Sequence, residues 1–362
     1  KAPPYLHFWQ SLYYILYLNK TNNKKTIMKL STIINSLLFC VAAILFASSN
    51  KHTTVFIVGD STAANKSHPE TNPERGWGMA LQGFFDSKIR VDNHALNGRS
   101  SKSFIGEGHW AKVLDLIKPG DYVIIQFGHN DEKKKADRYT EPGTTFDATL
   151  TRYVNETREK GGIPVLMNSV VRRNFFRKSD NGIDDESLRN TVYTDEKINS
   201  DTLIDTHGAY LLSPRNVAKK MNVPFVDANK ITHDYEQSLG IIGSRKLHMW
   251  FKPGEVASIP KGRQDNTHYN IYGAHNVASL LVDALAKEVL AFKKHVRHYD
   301  YVVSKRGFGN YMSLQKAIDE APTDKTTRIY ILDGKWDKSK IDTKGKKIRF
   351  DLYPGAELKK SK

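Results

Sequence analysis

Cysteine is nearly absent from this 362-residue chain, in which Cys40 is the single example. A disulfide framework within the chain and a cysteine-rich zinc site are therefore excluded. The sequence also lacks a His-Glu-x-x-His motif, a Gly-x-x-x-x-Gly-Lys-Ser/Thr phosphate loop and a Gly-x-Gly-x-x-Gly turn after a strand. The Gly-x-Ser-x-Gly turn that carries the nucleophile in another large fold of serine esterases is missing too.

Long apolar segments are scarce as well. The most apolar one, 30–46, follows Met28 and a lysine and precedes three small residues. This order is typical of a signal peptide, and the apolar stretch is short for a transmembrane helix. We therefore predict a bacterial-type signal peptide over 28–50 and a secreted or periplasmic protein with no stable membrane insertion after cleavage; a membrane anchor is the alternative. Residues 1–27 are interpreted as an upstream leader or a translation artefact.

Basic residues outnumber acidic ones at both ends of the chain. Residues 1–50 carry five lysines and no acid, and residues 293–362 carry eighteen basic residues against nine acidic ones. Of the formal net charge of +16, only +2 is left for residues 51–292. The positive charge is therefore no nucleic-acid signature of the central region, and we predict no nucleic-acid partner. The basic C-terminal end could bind an anionic polymer or could simply be solvated.

Five short apolar runs are present instead, and they alternate with segments of helical spacing. Their lengths suit strands that are buried on both faces of a sheet. The runs cover 53–58, 89–96, 121–127, 163–171 and 223–226, and helical spacing is found at 77–85, 110–117, 146–160 and 272–292. This alternation predicts an α/β fold built on a five-stranded parallel sheet, in which ligands bind beyond the carboxyl ends of the strands.

Four short motifs lie near this predicted edge of the sheet. They are Gly59-Asp60-Ser61-Thr62, Asn97-Gly98-Arg99-Ser100, Gly128-His129-Asn130-Asp131 and Asp265-Asn266-Thr267-His268. The first three each follow a different strand, and the last lies on a loop before the terminal helix. Together they supply what acyl transfer requires: a nucleophile, a base, a residue that orients the base, and donors for an oxyanion. Such a mechanism requires no metal and no cofactor.

The residue types suggest one role each. We assign Ser61 as the nucleophile, His268 as the base, and Asp265 as the residue that fixes the tautomer of the imidazole. The backbone N–H groups of Ser61 and Gly98 and the side-chain amide of Asn130 are the predicted oxyanion donors.

Some of these residues also have a plainer interpretation. Ser61 alone could be a helix N-cap, and His268 could be a solvated loop histidine. His129 is a rival base, although a hydrogen bond to the edge of the sheet is the interpretation we favour. Asp60 is expected to support its turn by accepting backbone N–H groups. The occurrence of all four motifs in this order favours catalysis.

The motifs resemble those of the SGNH, or GDSL-type, hydrolases. Finer features are similar to the rhamnogalacturonan acetylesterases of that group, namely Gly76-Trp77-Gly78, the Asn-Gly-Arg-Ser turn, 127–131, Val170-Val171-Arg172-Arg173 and Tyr272-Gly273-Ala274 after His268. The resemblance covers residues 53–292. It implies a flavodoxin-like three-layer α/β/α fold, the same catalytic and oxyanion roles, and removal of O-acetyl groups from pectic polysaccharide, with rhamnogalacturonan as the substrate.

Three further residues are candidates for contact with substrate. Arg172 and Arg173 could pair with a uronate carboxylate, because a guanidinium matches a carboxylate in shape and charge. Trp77 could line the site. Ordinary surface arginines and a core tryptophan are the alternatives. The long polar stretch 174–205 is interpreted as an inserted surface loop.

The C-terminal part has a different pattern. After a linker at 295–300, residues 301–362 show a strand, a glycine turn, a short amphipathic helix and further strands. This order resembles the opening of a pectin methylesterase, or pectinesterase, whose fold is a right-handed parallel β-helix. It implies an SGNH domain at 51–294 followed by a truncated β-helix fragment, in a natural protein that joins two pectin-deacylating activities. Because β-helix coils stabilise one another, we expect the fragment to be loosely ordered.

The sequence thus predicts a secreted serine carbohydrate esterase whose partner is plant cell-wall pectic polysaccharide. Two alternatives stay open. One is a lipolytic or thioesterase enzyme of the same fold, which would prefer long acyl chains. The other is a non-catalytic pectin-binding module, against which the complete set of catalytic residues argues.

Overall fold

The computed structural model describes residues 52–177, 196 and 198–360. The predicted leader and signal peptide lie outside the described residues, as do positions 178–195 and 197 of the predicted inserted loop. Within the described ranges, no helix combines the length and the apolar character needed to cross a membrane.

A parallel sheet organises residues 52–294, here called the α/β domain. In chain order its strands are β1 (Thr53–Gly59), β2 (Glu74–Arg75), β3 (Ile89–Asn93), β4 (Tyr122–Gln126), β5 (Ile163–Met167), β6 (Phe225–Val226), β7 (His248–Phe251) and β8 (Arg263–Asn270). Five of them form the parallel sheet, in the order β3-β1-β4-β5-β6. The predicted five-stranded parallel sheet is confirmed, and its strand order is the flavodoxin-like one.

Helices cover both faces of this sheet. They are α1 (Trp77–Ala80), α2 (Ser101–Gly106), α3 (His109–Leu114), α4 (Thr145–Glu159), α5 (Leu212–Met221), α6 (Ala228–Arg245), α7 (Ile271–Glu288) and α8 (Leu290–Lys293). Alternate side chains of β1 point to opposite faces of the sheet. Val55 packs in one buried cluster with Leu281 of α7, and Phe56 packs in another with Val154 of α4. The result is a three-layer α/β/α arrangement.

Some element bounds differ from the expected ones. β3 ends at Asn93 and β5 at Met167, three and four residues before the apolar runs end. The runs continue because some residues beyond these strands are still buried, as Ala95 at 4% exposure and Val171 with no exposed surface illustrate. The predicted terminal helix is divided into α7 and α8 at Val289, whose φ of −117° is not helical.

A second, antiparallel sheet holds β8 between β2 and β7. Asp265 and His268 therefore lie on a strand, and the expectation that they lie on a loop is wrong. The register of β8 shifts beside β7: His248 lies opposite Tyr269, but Met249 lies opposite Asp265. The residues between Asp265 and Tyr269 thus bulge from the ladder, and this irregularity lets side chains three residues apart meet.

The C-terminal segment, residues 295–360, is built from parallel strands. They are β9 (Tyr301–Val303), β10 (Thr327–Ile331), β11 (Lys335–Asp337), β12 (Ile348–Leu352) and β13 (Glu357–Lys359), with α9 (Leu314–Glu320) after β9. β10 pairs with β9 and β12, and β11 pairs with β13. Ile318 of α9 packs with Val303 and Ile329 in a buried cluster. The segment therefore has a buried core of its own, whereas the sequence led us to expect a loosely ordered fragment.

This segment also packs on the α/β domain. The Tyr330 hydroxyl donates to the Phe85 carbonyl at 3.3 Å, and Arg75 Nε donates to the Gly307 carbonyl at 3.1 Å. Val296, in the predicted linker, pairs with Phe85 in an isolated bridge. From His52 onward the chain forms one compact unit. The α/β domain thus covers part of the C-terminal segment.

Candidate active site

Three polar side chains meet beyond the end of β1. Ser61 Oγ lies 2.8 Å from His268 Nε2, and His268 Nδ1 lies 3.0 Å from Asp265 Oδ2. An ionised carboxylate only accepts hydrogen bonds, so Nδ1 carries the proton and Nε2 is left to accept from the serine hydroxyl. Asp265 has no exposed surface and His268 is 6% exposed. This geometry allows proton transfer from Ser61 to His268.

The turn that carries Ser61 is fixed by its neighbours. Asp60 Oδ1 accepts the Thr62 backbone N–H at 2.9 Å and the Thr62 hydroxyl at 2.7 Å. Burial raises the pKa of Asp60. This contact is the turn-supporting role expected for Asp60, and it leaves Ser61 free to point at His268.

The predicted oxyanion donors come from two other loops. Gly98 has a φ of 72°, in the left-handed region that suits glycine. Asn130 Nδ2 donates to the Arg99 carbonyl at 3.1 Å, which fixes the orientation of the amide and ties the loop after β4 to the turn after β3. The second Asn130 N–H remains available for a ligand oxygen.

Asp131 also connects residues of neighbouring loops. Its carboxylate accepts the Ser101 N–H at 3.1 Å and the Thr140 hydroxyl at 2.9 Å. Burial raises the pKa of Asp131 to about 7. Gly128 allows the loop to approach β5 closely: its φ is 149°, and a Cβ there would lie 2.2 Å from Ser169 Oγ.

Comparison with known proteins agrees with this geometry. The model of the GDSL-like lipase/acylhydrolase family matches residues 55–281. The chain belongs to this family. Family membership makes the protein a carboxylic ester hydrolase.

Among the relatives of this GDSL-like hydrolase is the rhamnogalacturonan acetylesterase RhgT of Bacillus subtilis, 35% identical over 246 residues, which are 68% of this chain and 95% of the relative. The rhamnogalacturonan acetylesterase of Emericella nidulans is 25% identical over 252 residues, covering 68% of this chain and 91% of that protein. The crystal structure of protein YxiM of Bacillus subtilis shares the fold, with a TM-score of 0.51, 24% identity and coverage of 67% of this chain and 58% of that one.

His129, the rival base, forms a separate buried chain in the GDSL-like hydrolase. Its Nδ1 lies 2.9 Å from His207 Nε2, and His207 Nδ1 lies 3.0 Å from Asp205 Oδ1. Burial lowers the pKa of His129 far below its usual range. Its hydrogen-bonding partner is thus a second histidine rather than the edge of the sheet.

The three candidate substrate contacts make internal contacts in the structure. Trp77 is fully buried in the core, and its backbone N–H donates to the Thr62 carbonyl at 2.9 Å. Arg172 is 8% exposed and forms an ion pair with Glu132. Arg173 has no exposed surface, and its guanidinium bonds Ser244 at 2.9 Å and Asn266 at 3.0 Å. Arg173 therefore contacts β8, the strand that carries Asp265 and His268, instead of solvent.

The sequence analysis did not identify a group of charged residues that lies next to Asp265. Arg263 Nε donates to Asp265 Oδ2 at 3.1 Å, and Arg263 also pairs with Glu74 at 2.8 Å. Glu74 in turn pairs with Lys66 at 2.8 Å. Burial alone would raise the pKa of Glu74, but the positive charge of protonated His268, with those of Lys66 and Arg263, lowers it to about 2. Burial also lowers the pKa of Lys66.

No local pattern could have joined these residues. Lys66 and Glu74 lie in the connection between β1 and α1, whereas Arg263 begins β8, far along the chain. The position of Arg263 two residues before Asp265 was the one available signal.

Proposed function

We propose that this protein is a serine acetylesterase that removes O-acetyl groups from a pectic polysaccharide, with acetylated rhamnogalacturonan as its substrate. The observation that carries the chemistry is the 2.8 Å contact between Ser61 Oγ and His268 Nε2, backed by Asp265. The substrate class rests on the relatives. Two of them are rhamnogalacturonan acetylesterases, and the similarity covers 95% and 91% of their lengths.

In the proposed mechanism, Ser61 Oγ attacks the acetyl carbonyl carbon while His268 Nε2 takes its proton. The carbonyl oxygen becomes an oxyanion, which the N–H groups of Ser61 and Gly98 and the Asn130 amide stabilise. The tetrahedral intermediate collapses, and the sugar hydroxyl leaves with the proton from His268. Water then attacks the acetyl-serine with His268 again as the base, and acetate is released.

The buried Asp265 stabilises the imidazolium that forms in each step. Its Oδ1 accepts the backbone N–H groups of Thr267 at 2.9 Å and His268 at 3.0 Å. These bonds hold the carboxylate in place before the reaction begins, so that little reorganisation is needed when the charge develops.

Substrate choice is tested by comparing acetate release from acetylated rhamnogalacturonan, from acetylated xylan, and from acetyl and octanoyl nitrophenyl esters. We expect the highest kcat/KM on rhamnogalacturonan and a preference for acetyl over octanoyl. A preference for octanoyl would identify a lipolytic enzyme. Binding to pectin without ester cleavage would identify a non-catalytic module.

Two further proposals concern the ends of the chain. The proposal that the protein is exported rests on the sequence of residues 28–50, and a mature protein that begins near residue 50 after expression in a bacterium would support it.

The proposal that the C-terminal segment is the start of a β-helix is supported by the parallel pairing of β10 with β12 and of β11 with β13. Methanol release from methylated pectin by this chain would indicate a working pectinesterase part, and we expect none.

A further inference from the structure

A buried lysine links the loops that form the proposed active site. The Lys66 side chain is 2% exposed, and its ammonium has three acceptors. It donates to the Ser61 carbonyl at 2.7 Å and to Asn97 Oδ1 at 2.7 Å, and it pairs with Glu74 Oε1 at 2.8 Å. An ammonium has three N–H donors, so this group is fully satisfied.

The three acceptors belong to three separate pieces of the site. Ser61 is the proposed nucleophile, and Asn97 precedes Gly98 in the turn of the proposed oxyanion hole. Glu74 lies on β2, next to β8, and reaches Asp265 through Arg263. Lys66 thus contacts the nucleophile loop and the oxyanion turn directly, and it is connected to the Asp265 carboxylate through a series of three ion pairs.

The charges of this group explain why a lysine can be buried there. Lys66 and Arg263 carry positive charge, and Glu74 and Asp265 carry negative charge, so the cluster is neutral while His268 is neutral. Burying a charge is costly unless it is paired and hydrogen-bonded, and each member of this cluster has a partner of opposite sign.

We propose that Lys66 is a positioning residue that holds the Ser61 loop and the Asn97-Gly98 turn at the separation that catalysis needs. The proposal rests on the proposed role of Ser61 as nucleophile. Attack on the carbonyl requires the serine oxygen and the oxyanion donors to face one carbon atom, and a misplacement of about 1 Å can cost on the order of 10²-fold in rate. The bonds of Lys66 to both loops oppose such a displacement.

The test is Lys66→Met, which keeps the length of the side chain and removes the ammonium. We expect kcat on 4-nitrophenyl acetate to fall by about 10²-fold with KM within about twofold, because the loss is one of transition-state geometry. The matched control is Lys346→Met. Lys346 also donates to two backbone carbonyls, those of Ile318 and Asp319 at 2.9 and 2.7 Å, but it lies in the C-terminal segment. We expect it to leave kcat unchanged.

Two further variants separate positioning from charge. Lys66→Met with Glu74→Gln restores a neutral cluster without restoring the bridge, and we expect kcat to stay low. Recovery of kcat in this double variant would overturn the proposal. Asn97→Ala removes only the bond to the exposed Asn97 side chain, so it tests the bridge if Lys66→Met fails to fold; we expect a fall in kcat on the order of tenfold.

The rate at which diethyl 4-nitrophenyl phosphate labels Ser61, with release of 4-nitrophenolate, gives an independent readout, because it needs no sugar substrate. We expect Lys66→Met to be labelled more slowly than the wild type and Lys346→Met at the same rate. Equal labelling rates, or a change confined to KM, would overturn the positioning role. An enzyme that is labelled but releases no acetate from pectic polysaccharide would overturn the proposed substrate and leave the role of Lys66 standing.

Discussion

The buried carboxyl of Asp131 should make the stability of the protein depend on pH. Its pKa of about 7, raised by burial, lies well above the value of about 3.9 expected in an unfolded chain. Between these values the folded protein binds more protons than the unfolded one. The free energy of unfolding contributed by this group therefore decreases as pH rises through these two pKa values, by about 4 kcal/mol in total.

Asp131→Asn removes this titration. We expect the difference in unfolding free energy between wild type and variant to change by about 3 kcal/mol between pH 4 and pH 7, with the wild type losing its relative advantage as pH rises. Urea denaturation at a series of pH values measures it. Because all other carboxyl groups are shared by the two proteins, their contributions cancel in the difference.

The control is Asp300→Asn in the C-terminal segment. Burial alone would raise the pKa of Asp300, but hydrogen bonds from the Arg328 N–H and from Lys325 lower it. Asp300 is therefore ionised in both folded and unfolded chains above about pH 5, and its variant should differ from wild type by a constant amount from pH 5 to pH 7. A constant difference for Asp131→Asn as well would show that burial does not raise the pKa of Asp131.

Three other perturbations have definite expected outcomes. Asn130→Ala should lower kcat by about 10²- to 10³-fold at nearly constant KM, as measured on 4-nitrophenyl acetate; an effect on KM alone would place Asn130 outside the oxyanion hole. Gly128→Ala should lower the melting temperature because its Cβ would lie 2.2 Å from Ser169 Oγ, and adding Ser169→Ala should recover part of the loss; no recovery would mean that the contact is not the cause. A chain ending at Lys294 should melt at a lower temperature than the full chain, because Arg75 and Phe85 lose their contacts with the C-terminal segment; an unchanged melting temperature would favour the loosely ordered tail expected from the sequence.

The positions of Ser61, Gly98 and Asn130 could be inferred from the sequence because of one topological rule. Each follows a strand of a parallel sheet, and in such a sheet all carboxyl ends lie at one edge. The apolar runs located these strands with little ambiguity. The order β3-β1-β4-β5-β6 then brings the three loops together without any information on side-chain contacts.

The strand that carries Asp265 and His268 could not be recognised in the same way. An amphipathic strand is identified by alternation of apolar and polar residues, but β8 is polar along most of its length and yet mostly buried. Its side chains are buried by ion pairs and hydrogen bonds, such as those of Asp265 with Arg263 and His268. The alternation of apolar and polar residues along the sequence does not reveal polar side chains that are buried in this way.

Long-range pairing is the second limit. Lys66, Glu74 and Arg263 form one cluster, but no spacing or motif relates them in sequence. The packing of the C-terminal segment on Phe85 and Arg75 depends likewise on surfaces far apart in the chain. Such contacts follow from the three-dimensional arrangement of elements and not from local propensity.

We propose Ser61 as the nucleophile of an acetylesterase acting on pectic polysaccharide. The most direct test is acetate release from acetylated rhamnogalacturonan by the wild type and by Ser61→Ala, each checked for folding by its melting temperature. We expect release by the wild type and a loss of about 10⁴- to 10⁶-fold in the variant, which should remain folded. Retention of a tenth or more of the wild-type rate by a folded Ser61→Ala variant, which corresponds to a loss of at most about 1.4 kcal/mol in transition-state stabilisation, would contradict it.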